Sequence, residues 1–151
     1  MDISPQGRII AQRQFVVRTS QEKVWDLLAT VTYQQLPLER VNLVSLDTFR
    51  AVLRWGVGFM RIPFYVEGRI VDTFRPNSYG CVIFVKRGPV QFGLKVAMIL
   101  RGVDESKTEV FCIAMEEGKR TVLGWALRGP QRKFTLKIFD SIGARLQRLC
   151  S

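Results

Sequence analysis

Asp72 is the one acidic residue in register with the apolar series Phe64, Val66 and Ile70, so an alternating strand would aim its carboxylate at the buried face. A carboxylate desolvated there would have a raised pKa and could take up a proton as a general base. Tyr65 and Tyr79 are the phenols near enough in sequence to handle protons beside it. The plainer reading places Asp72 near a strand end, solvated or paired across the sheet with an arginine. Glu67 and Arg69 fall on the opposite face and read as a solvent-side pair of small energetic worth.

The absence of histidine narrows the chemistry most: there are none in 151 residues. Ser-His-Asp and Cys-His catalysis are excluded, and so are His-based zinc or iron sites. Cys81, Cys112 and Cys150 form no Cys-x-x-Cys pair, so neither a disulfide framework nor a zinc knuckle is expected. Cys81 and Cys112 lie inside apolar strand patterns and read as small core residues. Gly56-Val57-Gly58 lacks a third glycine and opens no helix, which makes it a tight turn or bulge rather than a phosphate loop. No catalytic set, metal or cofactor is expected.

The elements that would position a site follow from patterning. The chain fits one domain, residues 1–151, with 47% hydrophobic and 24% charged residues, a globular composition. No stretch approaches the roughly 18–20 apolar residues that span a bilayer. The first residues lack the pattern of a secretory signal, so a cytoplasmic protein is expected. Phe15-Val16-Val17 reads as the end of a first strand. Thr19 and Glu22 have the spacing of a capping box, and Val24, Leu27, Leu28 and Val31 give the following helix one buried stripe ending near Thr32. A short second helix could occupy Tyr33 to Leu36 before Pro37.

From Val41 to Glu117 turn residues separate β-branched and aromatic runs, which predicts an antiparallel meander. Val90, Phe92, Leu94, Val96, Met98 and Leu100 take one face of the clearest strand, and Gln91, Gly93, Lys95, Ala97 and Ile99 the other. Val110 to Met115 is apolar on both faces, as for a central strand or one whose outer face meets another copy of the chain. Gly129-Pro130 starts a closing helix running to Leu149. Phe134, Ile138, Ile142, Leu146 and Leu149 form its apolar arc, and about 20 residues make a rod of roughly 30 Å, enough to cross a sheet.

Charge is uneven. The net charge is +10, and residues 118–151 carry eight basic groups against Asp140 alone, a net +7. A localised basic face attracts anionic partners.

Phe15-Val16-Val17 followed by Ser20-Gln21-Glu22-Lys23-Val24-Trp25-Asp26-Leu27-Leu28 resembles the strand, polar cap and Val-Trp-x-Leu-Leu helix of the START-related superfamily, also called SRPBCC or helix-grip. That superfamily includes polyketide cyclase-like and lipid-transfer proteins. Glu67-Gly68-Arg69-Ile70-Val71 and the Gly118 to Arg132 approach are similar to its carbon-monoxide-dehydrogenase-related branch. The resemblance implies an α+β fold: a curved antiparallel sheet of six to seven strands wrapped around a long C-terminal helix, with one or two short helices after the first strand. It also implies a cavity between sheet and helix for a hydrophobic small molecule such as a lipid, quinone or polyketide-like compound. Rieske-type oxygenases of this fold need histidine ligands, so that branch is excluded.

The residues expected to line the cavity are Phe64, Val66, Phe92, Leu94, Val96, Met98, Phe111, Ile113, Met115, Phe134, Ile138 and Ile142. Binding or transport without catalysis is the leading expectation. A cyclase or lyase acting on an aromatic or polyketide-like substrate is the alternative. Arg128, Arg132, Lys133, Lys137 and Arg148 form the basic surface, suited to peripheral contact with an anionic membrane, to a protein, or to nothing but water. Nucleic acid is disfavoured, because basic and aromatic residues do not interleave on that helix. A homodimer would use the outer face of the doubly apolar strand.

Overall fold

The computed structural model describes residues 8–36, 38–55, 62–88, 90–117 and 128–150. Gly56-Val57-Gly58, the Gly118 to Ala126 approach and Pro37 therefore lie outside the described residues. Strand β1 (Ile9–Val17) leads to helix α1 (Gln21–Gln35). Six strands follow: β2 (Leu38–Leu43), β3 (Thr48–Trp55), β4 (Ile62–Phe74), β5 (Ser78–Arg87), β6 (Val90–Asp104) and β7 (Lys107–Glu117). Helix α2 (Arg128–Leu149) closes the chain. Among the described residues the seven strands form one antiparallel sheet in the order β1-β7-β6-β5-β4-β3-β2.

The period-two pattern of β6 decides which face is inside. Leu94, Met98 and Leu100 join the core that holds Phe139, Ile142 and Leu146 of α2, whereas Lys95, Ala97 and Ile99 face away. Register carries this division outward. Cys81, Ile83 and Val85 stand opposite Val96, Leu94 and Phe92, and Val66 stands opposite Val85. α1 caps one end of the sheet, and α2 packs on β1, α1 and the inner face.

Helix α1 differs from the capping-box expectation in its first turn. The Lys23 amide donates to Ser20 Oγ at 3.4 Å, so Ser20 is the cap, while Thr19 turns its carbonyl to the Thr108 hydroxyl at 2.9 Å. The helix continues to Gln35, absorbing the expected second helix. Gln21 clamps its start to the sheet. Its Nε2 donates to the Pro76 and Leu100 carbonyls at 3.0 and 3.3 Å, and its Oε1 accepts from the Gly102 amide at 3.1 Å. The Trp25 indole donates to the Ser78 carbonyl at 3.1 Å.

Helix α2 is rotated relative to its sequence-predicted arc. Gln131, Thr135, Phe139, Ile142 and Leu146 are buried, while Phe134 and Ile138 are half-buried and Leu149 is exposed. The hydrophobicity pattern hides this because two polar residues sit on the inner stripe. Thr135 satisfies its hydroxyl within the helix, donating to the Gln131 carbonyl at 2.8 Å. The C-terminal half of α2 is tied to β1. Arg13 donates to Asp140 at 3.0 Å, Gln147 donates to the Val16 carbonyl at 3.1 Å, and Gly143 lets the Phe15 ring lie against the helix backbone.

Candidate functional site: an apolar cavity between sheet and helix

An apolar cavity of about 90 Å³ lies between the inner face of the sheet and the N-terminal half of α2. The sheet wall is Phe49 and Leu53 of β3, Val66 of β4, Cys81, Ile83 and Val85 of β5, and Phe92, Leu94, Val96 and Met98 of β6. Gln131, Phe134, Thr135, Ile138, Phe139 and Ile142 of α2 form the roof, and Thr32, Leu36 and Leu38 close the end where α1 leads into β2.

No polar atom contributes to the cavity surface. Thr32 and Thr135 are present as methyl groups, because their hydroxyls donate to the Leu28 and Gln131 carbonyls at 2.7 and 2.8 Å. Cys81 reaches the wall as a neutral thiol, and burial pushes its pKa up to about 12. Such a thiol is no nucleophile at neutral pH. Shape and apolar contact are therefore all that the cavity offers to a guest.

Of the twelve expected wall residues, Val66, Phe92, Leu94, Val96, Met98, Phe134, Ile138 and Ile142 line the cavity. Phe64 is buried on the inner face, within the cluster of Phe49, Leu53, Val66 and Val85, but it packs behind the wall. Phe111, Ile113 and Met115 are corrected: they stand on the outer face. Ile113 pairs with Ala97 and Phe111 with Ile99, and Ala97, Ile113 and Met115 are buried in a separate cluster there. The inward side of β7 carries Val110, Cys112 and Ala114. A strand apolar on both faces holds no pattern from which to choose between them.

Asp72 is corrected as well. A register irregularity between Val71 and Phe74, with Asp72 at φ 48°, takes the strand out of its alternation. The carboxylate faces outward and pairs with Lys95 Nζ at 2.9 Å, a lysine where an arginine was expected. Tyr65 is also on the outer side, 72% exposed, opposite Lys86. Tyr79 is buried in the main core without lining the cavity.

Sequence reasoning missed Phe49, Leu53, Ile83, Val85 and Phe139, and the residues closing the end, Leu36 and Leu38. Phe49-x-Ala51-x-Leu53 does alternate, and that signal was available. Cys81 to Val85 has no polar member to mark a face.

Arg132, Lys133, Lys137 and Arg148 are exposed on the outward side of α2. Arg128 begins the helix, and its side chain lies outside the described residues. Lys133 and Lys137 flank a shallow depression with Leu136, Asp140, Ser141 and Ala144. No described helix is long and apolar enough to cross a membrane.

No family model matches the sequence, and no curated protein matches it. Solved structures do match the fold. A conserved protein from Geobacillus kaustophilus superposes with a TM-score of 0.68 at 16% identity, covering 91% of this chain and 94% of that one. A START superfamily protein from Mycobacterium smegmatis gives 0.63 at 11% identity, covering 91% and 97%. The Zhui aromatase/cyclase from Streptomyces sp. R1128 gives 0.61 at 10% identity, covering 92% and 91%. The chain thus has a START-like, SRPBCC-type fold: a seven-stranded antiparallel sheet gripping a C-terminal helix.

Proposed function

We propose that the protein binds and carries an apolar small molecule between the sheet and α2. The observation that carries this reading is the cavity wall, which presents no polar atom to its interior. A packed core leaves few voids larger than a water, and an apolar void is filled most favourably by an apolar guest.

The size of the cavity bears on the guest. At about 90 Å³ it is smaller than the ~150 Å³ apolar cavity that accepts benzene, and well below the ~300–1,000 Å³ of typical ligand sites. A lipid, quinone or polyketide-like ligand requires the roof to move outward. Arg13–Asp140 and Gln147–Val16 hold the C-terminal half of α2, while the cavity lies under its N-terminal half. Outward tilting of that half is the motion that would enlarge the site. A cyclase or lyase would need a proton-handling group in the cavity, and Asp72 and Tyr65 lie on the other side of the sheet.

An anionic membrane is the proposed place of loading, with Arg132, Lys133, Lys137 and Arg148 supplying the attraction. The test is a fluorescence titration with N-phenyl-1-naphthylamine, comparing wild type with the cavity-filling variants Ile83→Trp and Val96→Phe. Saturable binding to wild type, lost in both folded variants, is the expected result. Absence of binding, or equal binding to all three, would overturn the proposal.

A further inference from the structure

Four aliphatic side chains stand in water at the end of β2 and in its turn into β3. Val41 is 49%, Leu43 80%, Val44 54% and Leu46 fully exposed. Single exposed apolar residues are ordinary, but four within six positions make a contiguous patch.

The turn that displays them is firmly built. Ser45 Oγ and Thr48 Oγ1 both donate to Asp47 Oδ1, at 2.8 and 3.1 Å. The amides of Val44 and Ser45 donate to the Thr48 carbonyl at 2.9 and 3.2 Å, and the Ile70 amide donates to the Asp47 carbonyl at 2.7 Å. This bonding pins the tip to β4 and holds its side chains away from the core.

Position and charge indicate what the patch meets. Leu43 stands opposite Phe49, a wall residue of the cavity, so the patch adjoins the site. Arg40, Arg50 and Arg69 surround it. Arg40 makes no ion pair among the described residues, and the Arg50–Glu67 and Arg69–Asp47 contacts are long, at 3.7 and 3.9 Å. Arginines with apolar stems and freely presented heads suit the phosphate level of a bilayer. A second copy of the chain pairing along β2 fits less well. Arg40 at φ 51° and the register irregularity between Glu39 and Asn42 interrupt that edge as a template for another strand.

We propose that the β2–β3 turn is a membrane-insertion element. Leu43, Val44 and Leu46 enter the headgroup boundary of an anionic bilayer while Arg40, Arg50 and Arg69 bind its phosphates. The inference rests on the cavity reading, and it names the surface from which the apolar molecule is taken.

The test is flotation of the protein with vesicles of phosphatidylcholine and phosphatidylglycerol, using wild type and the L43S/L46S double variant. Both positions are exposed, so the fold is not disturbed. The double variant should partition roughly tenfold or more weakly, from the apolar area withdrawn. In a separate Leu46→Trp variant, vesicles should shift the new tryptophan emission to the blue. Binding of N-phenyl-1-naphthylamine without vesicles should be the same in L43S/L46S as in wild type. Vesicle binding that depends on Leu43 and Leu46 in a protein that takes up no probe would support insertion and refute the cavity reading alone. Equal partitioning of wild type and L43S/L46S would overturn insertion. So would a concentration-dependent dimer that the double variant dissociates.

Discussion

The Phe49 ring lies directly over Gly68 on the neighbouring strand, in the space a Cβ at that position would occupy. The two residues face each other in the ladder, and the ring continues from there into the cavity wall. A Gly68→Ala substitution must therefore push the ring away from β4 and toward the void. Overpacking of this kind costs about 1–3 kcal/mol. We predict a lower urea midpoint for Gly68→Ala, together with weaker apolar-probe binding. A variant with unchanged stability and binding would show that the ring has another place to go.

The Asp72–Lys95 pair gives a prediction that separates binding from proton transfer. Asp72→Asn breaks a contact on the outer face whose two side chains are 41% and 19% exposed. Its cost should be about 1 kcal/mol or less, with no change in probe affinity. Binding that fails in Asp72→Asn while the fold persists would return the carboxylate to the site.

Gln21 should be the most sensitive polar position of α1. Its amide joins the helix start to the β4–β5 turn through Pro76 and Asn77, and to β6 through Leu100 and Gly102. Gln21→Ala leaves the partly buried Leu100 carbonyl and the Gly102 amide without this partner. The expected loss is about 1–3 kcal/mol by chemical denaturation.

Alkaline pH should weaken the fold through its thiols. Burial pushes the pKa of Cys81 and of Cys112 up to about 12 from an ordinary value of 9.0. A folded-state pKa above the unfolded one means that the unfolded chain loses its protons first. The contribution is complete below about pH 9 and is lost as pH rises toward about 12. Cys81→Ala should make the fall in the urea midpoint across that window shallower than in wild type. Parallel profiles would show that Cys81 ionises as easily in the folded protein as in the unfolded one.

Legibility in the sequence followed the contrast between neighbouring residues. β6 alternates apolar with polar or small residues, and Phe92, Leu94, Val96 and Met98 are on the cavity side as the alternation predicts. β7 lacks that contrast, so Phe111, Ile113 and Met115 could not be told from Val110, Cys112 and Ala114. Asp72 was misplaced because alternation was carried across a register irregularity that no residue type announces. On α2 the arc was centred correctly on Ile142, but Gln131 and Thr135 occupy inner positions a polarity pattern assigns to solvent. The exposed aliphatic tip at Leu43 and Leu46 escaped notice because exposure depends on what lies opposite in space. Apolar residues near a turn look the same in sequence whether covered or bare.

The measurement that bears most directly on apolar-ligand binding is native mass spectrometry of the freshly purified chain, followed by organic extraction and mass analysis of what is released. The expected result is an added mass that is lost on extraction and belongs to an apolar molecule, or one acquired from an apolar panel at one equivalent per chain. A clean chain mass that stays unchanged after exposure to lipids, quinones and aromatic compounds would contradict the carrier function.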